Sequence, residues 1–168
     1  MAAKTAGTWA VTSPVGINNA LADHSTTQLH PLGTRCKAVD RGTTDYGEGE
    51  FVYLKGVAST VRGSVVLVKD DYSTSLVAAR DKGALAVALA ATVANEYGWY
   101  QILGKGVAAC GTIAANAPLY IAAAGAIVDD AAVAGDQIIG MRSVTADDTS
   151  TAVVNMACHP ATADFDNA

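Results

Sequence analysis

Charge is what this sequence has least of. Lys, Arg, Asp and Glu together make up 16% of its residues, against about a quarter in an ordinary domain. The eleven Lys and Arg stand singly along the chain. A phosphate backbone needs several cations acting together, so no nucleic-acid partner is expected. Cysteine is also sparse: Cys36, Cys110 and Cys158 are far apart and form no C-x-x-C pair. That spacing excludes a disulfide framework and a thiolate zinc site. It points to three buried small apolar side chains in a reducing compartment. The residues after Met1 hold no apolar run of signal-peptide type, so synthesis in a cytoplasm is expected. The longest apolar run, residues 84–94, is about half the ~20 residues of a membrane span, and no membrane partner is expected.

Catalytic signatures are missing as well. There is no G-x-S-x-G elbow and no phosphate-binding G-x-x-x-x-G-K sequence. Gly47-Glu48-Gly49 and Gly104-Lys105-Gly106 lack the third glycine of a dinucleotide fingerprint, so these glycines read as strand turns. Cys158 and His159 are adjacent, and neighbours on a strand point to opposite faces, so a Cys-His pair would not converge there. His24 and His30 lie far away near the N-terminus. The acidic pairs Asp70-Asp71, Asp129-Asp130 and Asp147-Asp148 fall where strands end and read as solvated turns rather than calcium ligands. The expectation is a protein that is not an enzyme and has no cofactor, catalytic residue or metal site.

What remains is small and apolar. Hydrophobic residues make up 51% of the chain, with alanine dominant and aromatics only 6%. A surface poor in charge and rich in small side chains suits close approach to neighbouring subunits. Residues 1–34 carry neither helical nor strand periodicity. Apolar residues appear there one at a time, Trp9, Ile17, Leu29 and Leu32 among them, between Thr, Ser, Asn, Gly and Pro. This is too apolar for a plain linker. Two courses are open: an extended arm lying in another protein's grooves, or a segment folded back on its own domain.

From Arg35 the texture changes to short β-branched and aromatic runs separated by turn residues every 8–12 positions, the pattern of a β-sandwich or small β-barrel over residues 35–159. Phe51 and Tyr53 share one face of a strand. Val65-Val66-Leu67-Val68 is apolar on both faces and predicts a strand buried on both sides. Residues 84–94 have helix-favouring composition but sit among strands and are assigned to strand. Gly98-Trp99-Tyr100-Gln101-Ile102-Leu103 is the clearest strand, with Trp99 opposed to Tyr100 and Ile102. A patternless tail is expected from residue 160, and no repeat of fixed period stands out.

His30-Pro31-Leu32-Gly33-Thr34-Arg35, Gly49-Glu50-Phe51-Val52-Tyr53-Leu54-Lys55-Gly56-Val57 and Tyr97-Gly98-Trp99-Tyr100-Gln101-Ile102 resemble, in that order, capsid decoration (cement) proteins of tailed bacteriophages. The stretch from Leu119 to Asp130, followed by Gly135-Asp136-Gln137-Ile138-Ile139-Gly140, is similar to later strands of the same family. The resemblance implies a small β-barrel or β-sandwich on the outer surface of a virion head. Its partners would be the major capsid protein and further copies of itself, as a trimer. Residues 1 to about 27 lie outside the resemblance, and the candidacy of Trp9 and Ile17 rests on their spacing as lone apolar anchors. With Leu29, His30, Leu32 and Arg35 they are the candidate capsid or subunit contacts, and Phe51, Tyr53, Trp99, Tyr100 and Ile102 form the strand core. Another virion subunit, from a tail tube or a head-fibre base, is an alternative. So is a glycan-binding surface module, with Trp99, Tyr97 and Tyr100 as its aromatic platform.

Overall fold

A computed structural model of the chain describes residues 8–12, 16–17, 19–42, 46–123, 125–147 and 150–162. Among these the fold is entirely strand and loop. In chain order the strands are β1 (Trp9–Val11), β2 (His24–Ser25), β3 (Arg35–Asp40), β4 (Glu48–Lys55), β5 (Val65–Val68), β6 (Thr74–Leu76), β7 (Leu85–Ala88), β8 (Tyr97–Ala109), β9 (Pro118–Ile121), β10 (Val128–Asp129), β11 (Gln137–Ser143) and β12 (Thr151–Thr162). The ladders between them are antiparallel, and the main path runs β1-β3-β4-β8-β12-β11-β9-β10.

β8 is the hub because it is long enough to serve two neighbourhoods. Its first half pairs with β4 through Tyr53↔Trp99 and Phe51↔Gln101, and with β7 through Val87↔Gln101. Its second half pairs with β12 from Gly104 to Ala109. Between the halves, Gly104 has φ +90° and a Cβ there would collide with the Glu48 carbonyl oxygen. Only glycine accommodates that approach, and it coincides with a register shift between Glu50 and Phe51. Fully buried Gln101 braces the shift, its amide donating to the carbonyls of Leu103 (3.0 Å) and Lys105 (2.8 Å).

Beyond β7 the sheet continues through β5 to β6. It curls until Lys55 at the end of β4 meets Ser73 in a single parallel bridge. The sheet does not close into a continuous barrel, and the architecture is sandwich-like. Alternation on β4 and β8 sends Val52, Leu54, Tyr100 and Ile102 inside this curl, where they pack with Val66, Ala86 and Ala88. The opposite face is covered in two ways. Over β5 and β7 lie the strands β9–β12, which form an aliphatic core with Leu85, Val87, Leu119, Ile138, Val154 and Met156. Over β3, β4 and β8 lies the N-terminal segment.

A repeated turn feeds the strands. Pro31-Leu32-Gly33-Thr34, Val61-Arg62-Gly63-Ser64, Ala78-Ala79-Arg80-Asp81, Val93-Ala94-Asn95-Glu96 and Val133-Ala134-Gly135-Asp136 each close with a backbone bond from fourth residue to first and carry a positive φ at the third. That is type II geometry. In three of them the fourth side chain also accepts from the first N–H: Ser64 from Val61, Asp81 from Ala78, and Glu96 from Val93. The spacing between turns varies, which hides the recurrence from a search for fixed period.

Several expectations are corrected. β12 continues through buried Pro160 to buried Thr162, so the ordered domain runs past residue 159; residues 163–168 lie outside the described residues. Pro160 is tolerated because the β11–β12 register shifts between Ile139 and Met141. Cys36 and Cys110 are buried as expected, whereas Cys158 is exposed, its sulfur lying against Gly140. Burial pushes the Cys36 thiol up to about 12, so it stays protonated. Asp147 is not solvated but 3% exposed, and its backbone pairs with Ile113; Asp148 lies outside the described residues.

Candidate functional site

The densest group of unusual side chains lies under the N-terminal segment. Leu21, Cys36, Ala38, Phe51, Tyr53 and Trp99 form one buried cluster, with Trp9, Ile17, Leu32 and Tyr97 packed against it. His30 is 6% exposed, edge-on to Tyr53 at 5.1 Å and tilted against Trp99 at 5.4 Å. Trp9 meets Phe51 edge-on at 4.8 Å. Aromatic pairs in such geometries add stability beyond their buried area.

One side chain fixes the group. Asn19 Oδ1 accepts from the Trp99 indole N–H (3.3 Å) and lies 3.1 Å from His30 Nε2. Tyr53 adds a second tie, its hydroxyl accepting from the Leu29 N–H at 3.2 Å. Backbone bonds run from Gly33 N to the Tyr53 carbonyl and from Tyr53 N to the Thr34 carbonyl, at 2.9 and 2.8 Å. β1 adds Trp9↔Asp40 to the edge of the sheet, and β2 adds His24↔Gly98, with His24 3.1 Å from the Glu96 carboxylate.

Of the six candidate contact residues, then, Trp9, Ile17, His30 and Leu32 pack on their own domain. Leu29, 38% exposed, and Arg35 face solvent. The described part of residues 1–34 follows the folded-back course; residues 1–7, 13–15 and 18 lie outside the described residues. Phe51, Tyr53 and Trp99 belong to this cluster, while Tyr100 and Ile102 sit across the sheet inside the curl. Burial raises the Tyr100 hydroxyl above its ordinary value. With Trp99 and Tyr100 each 1% exposed, the expected aromatic platform is reduced to Tyr97, which is half-buried.

Two surface features adjoin the cluster. A cleft of about 570 Å³ opens where the turns ending at Thr34, Tyr72 and Glu96 converge, lined by Leu32, Lys55, Asp71, Ser73, Asn95 and Tyr97 among others. Beside it, two loops are joined by a bridge between buried Thr60 and Thr92. They expose Ala58, Val61 (54%), Ala91, Val93 (61%) and Ala94. The buried threonines hold these loops from within: both Thr60 and Thr92 donate to the Val57 carbonyl.

Among the described residues no group of three or more His, Cys, Asp and Glu is placed to hold a metal ion. No helix among them is long and apolar enough to cross a membrane. No family model matches the chain, and no curated protein matches it. No local pattern in the sequence marks Asn19 or Leu21 as site residues, and Gln101 is marked only as part of its strand and of the resembling segment. The recurring turn reads in the sequence as a small or apolar residue, any residue, Gly, Asn or Arg, then a hydroxyl or acid.

Proposed function

We propose that this protein is a structural virion component, a decoration protein that binds the outer surface of a phage head and reinforces the shell. The observation that carries the reading is the convergence of the resembling segments. His30, Tyr53 and Trp99 come from the three separate stretches that resemble the decoration proteins, and they meet in one aromatic nest. Segments that form a single packing unit are what a shared architecture would retain together. In the described part of the N-terminal segment Trp9, Ile17, His30 and Leu32 pack into or against this nest, so the shell contact is assigned to the exposed apolar loops around Val61 and Val93. Exposed apolar groups on braced loops form an interface without a large ordering cost. A trimer, with each copy contributing one such patch, turns modest contacts into tight overall binding.

The test is co-sedimentation with heads built from the cognate major capsid protein. The wild-type chain saturates the heads and raises their resistance to heat. Val61→Asp with Val93→Asp abolishes binding while leaving the melting temperature of the free chain unchanged. Full occupancy by that double variant contradicts the loop assignment; no binding by the wild type contradicts the function. Rings or tubes formed by the free chain would favour a tail-tube subunit instead.

A further inference from the structure

The cleft beside Tyr97 has a chemistry that shell binding does not use. Its walls are held by the backbone: Gly56 N donates to the Glu96 carbonyl (2.7 Å), Lys55 N to the Tyr72 carbonyl (3.0 Å), and the Thr74 hydroxyl to the Lys55 carbonyl (3.0 Å). Tyr97 is fixed by stacking on Tyr53, with ring centres 6.4 Å apart and planes 15° from parallel. The cleft therefore exists before any ligand arrives, and at about 570 Å³ it falls within the range of small-molecule sites.

Its polar groups are available. The Lys55 ammonium and the Asn95 amide bond to no other side chain or carbonyl among the described residues. Asp71 Oδ1 accepts from Ser73 N (3.0 Å) and Ser73 Oγ (2.6 Å), leaving Oδ2 open. Those bonds hold the Asp71 carboxyl below its ordinary range, so it is an acceptor at neutral pH. Lining charge is one cation and one anion. A phosphate or carboxylate would meet Asp71, and an organic cation would meet Lys55. A polyhydroxylated neutral molecule satisfies both, since each hydroxyl donates and accepts. An apolar C–H face would rest on Tyr97 and Leu32.

From this juxtaposition we infer that the cleft formed by Leu32, Lys55, Asp71, Asn95 and Tyr97 is a binding site for a neutral saccharide. Its rim shares Ala58 and Ala94 with the shell-binding loops, while Leu32, Lys55, Asp71 and Ser73 lie outside them. The site differs from an exposed aromatic platform: one ring supplies the apolar contact, and planar polar groups supply orientation.

The experiment is a titration of the ¹⁵N-labelled full chain with chitotriose and with maltotriose, followed by amide shifts, with inorganic phosphate as a third probe. At least one saccharide is expected to give saturable shifts centred on Lys55, Gly56, Asn95 and Tyr97. Asn95→Gly, which keeps the positive φ of its turn, and Asp71→Asn, which keeps an oxygen for Ser73, each weaken binding about tenfold, the factor carried by about 1.4 kcal/mol, with an unchanged melting temperature. Absence of shifts with both saccharides overturns the proposal. So does binding undiminished in the two variants, or a response to phosphate at the same amides that competes with the saccharide. Shell binding by the Asp71→Asn protein, altered outside the Val61 and Val93 loops, stays intact, which separates failure here from failure of the decoration role.

Discussion

The two coverings of the central sheet are built on different principles. The aliphatic one joins β5 and β7 to β9–β12 with Val, Leu, Ile, Met and Ala. Its specificity comes from strand register and close packing. The aromatic one joins β3, β4 and β8 to a segment with almost no regular structure, and it depends on a few directional bonds to Asn19, His30 and Tyr53. An irregular backbone has no ladder to hold it, so large rings and buried polar ties do the holding. Such a covering is strong while each tie is made and vulnerable to the loss of one.

The largest expected effect is therefore on the aromatic side. Trp99→Ala should cost about 3–5 kcal/mol, while Ile138→Val in the aliphatic core should cost about 0.5–1.5 kcal/mol. Chemical denaturation of both variants measures the contrast, and equal losses would break it. Asn19→Ala comes next. It strips the acceptor from the Trp99 indole N–H and the partner from His30, both buried, at a cost of about 1–3 kcal/mol. The same measurement should show this loss with little change in the dependence on denaturant, since the exposed area changes little.

A smaller, pH-dependent effect probes the aliphatic side. His159 is half-buried on β12, and its Nε2 has no hydrogen-bond partner. Burial, and then the charge of Arg35, lower its pKa below 6.5. The folded state thus binds protons less readily than the unfolded chain. Its contribution is fully present above pH 6.5 and is lost as pH falls through that value toward the lowered folded one. Denaturation midpoints measured from about pH 8 to about pH 5, which brackets the imidazole's ordinary value, should fall at the acid end. His159→Gln should flatten that fall.

The strands were legible because their signals are local. Alternation placed Phe51 and Tyr53 on one face and Trp99 opposite Tyr100, and the structure keeps those assignments. The four-residue apolar run at Val65 is buried on both sides or nearly so. The course of residues 19–34 was not legible. Leu21 and Asn19 make contacts with residues up to 80 positions away, and no neighbour in sequence announces them. Cys158 looked apolar by type, yet the register of β12 turns it outward. The tail departs from its sequence pattern for a related reason: a proline usually ends a strand, but the shift in β11 provides a place for Pro160. The cleft could not be read at all, since its lining comes from four separate stretches of the chain, around Leu32, Lys55, Asp71 and Asn95.

Hydrogen exchange on the free chain tests the integrated N-terminal segment most directly. If residues 19–34 are part of the domain, the amides of Leu29 and Gly33, which donate to Tyr53, and that of Asp23, which donates to the Ala20 carbonyl, should be protected in the absence of any partner. Gly33 should exchange only on the scale of global unfolding, as the central strands do. Exchange of all three at the rate of an unstructured peptide, with β4 and β8 still protected, would contradict the account and return the segment to the role of an arm that orders on binding.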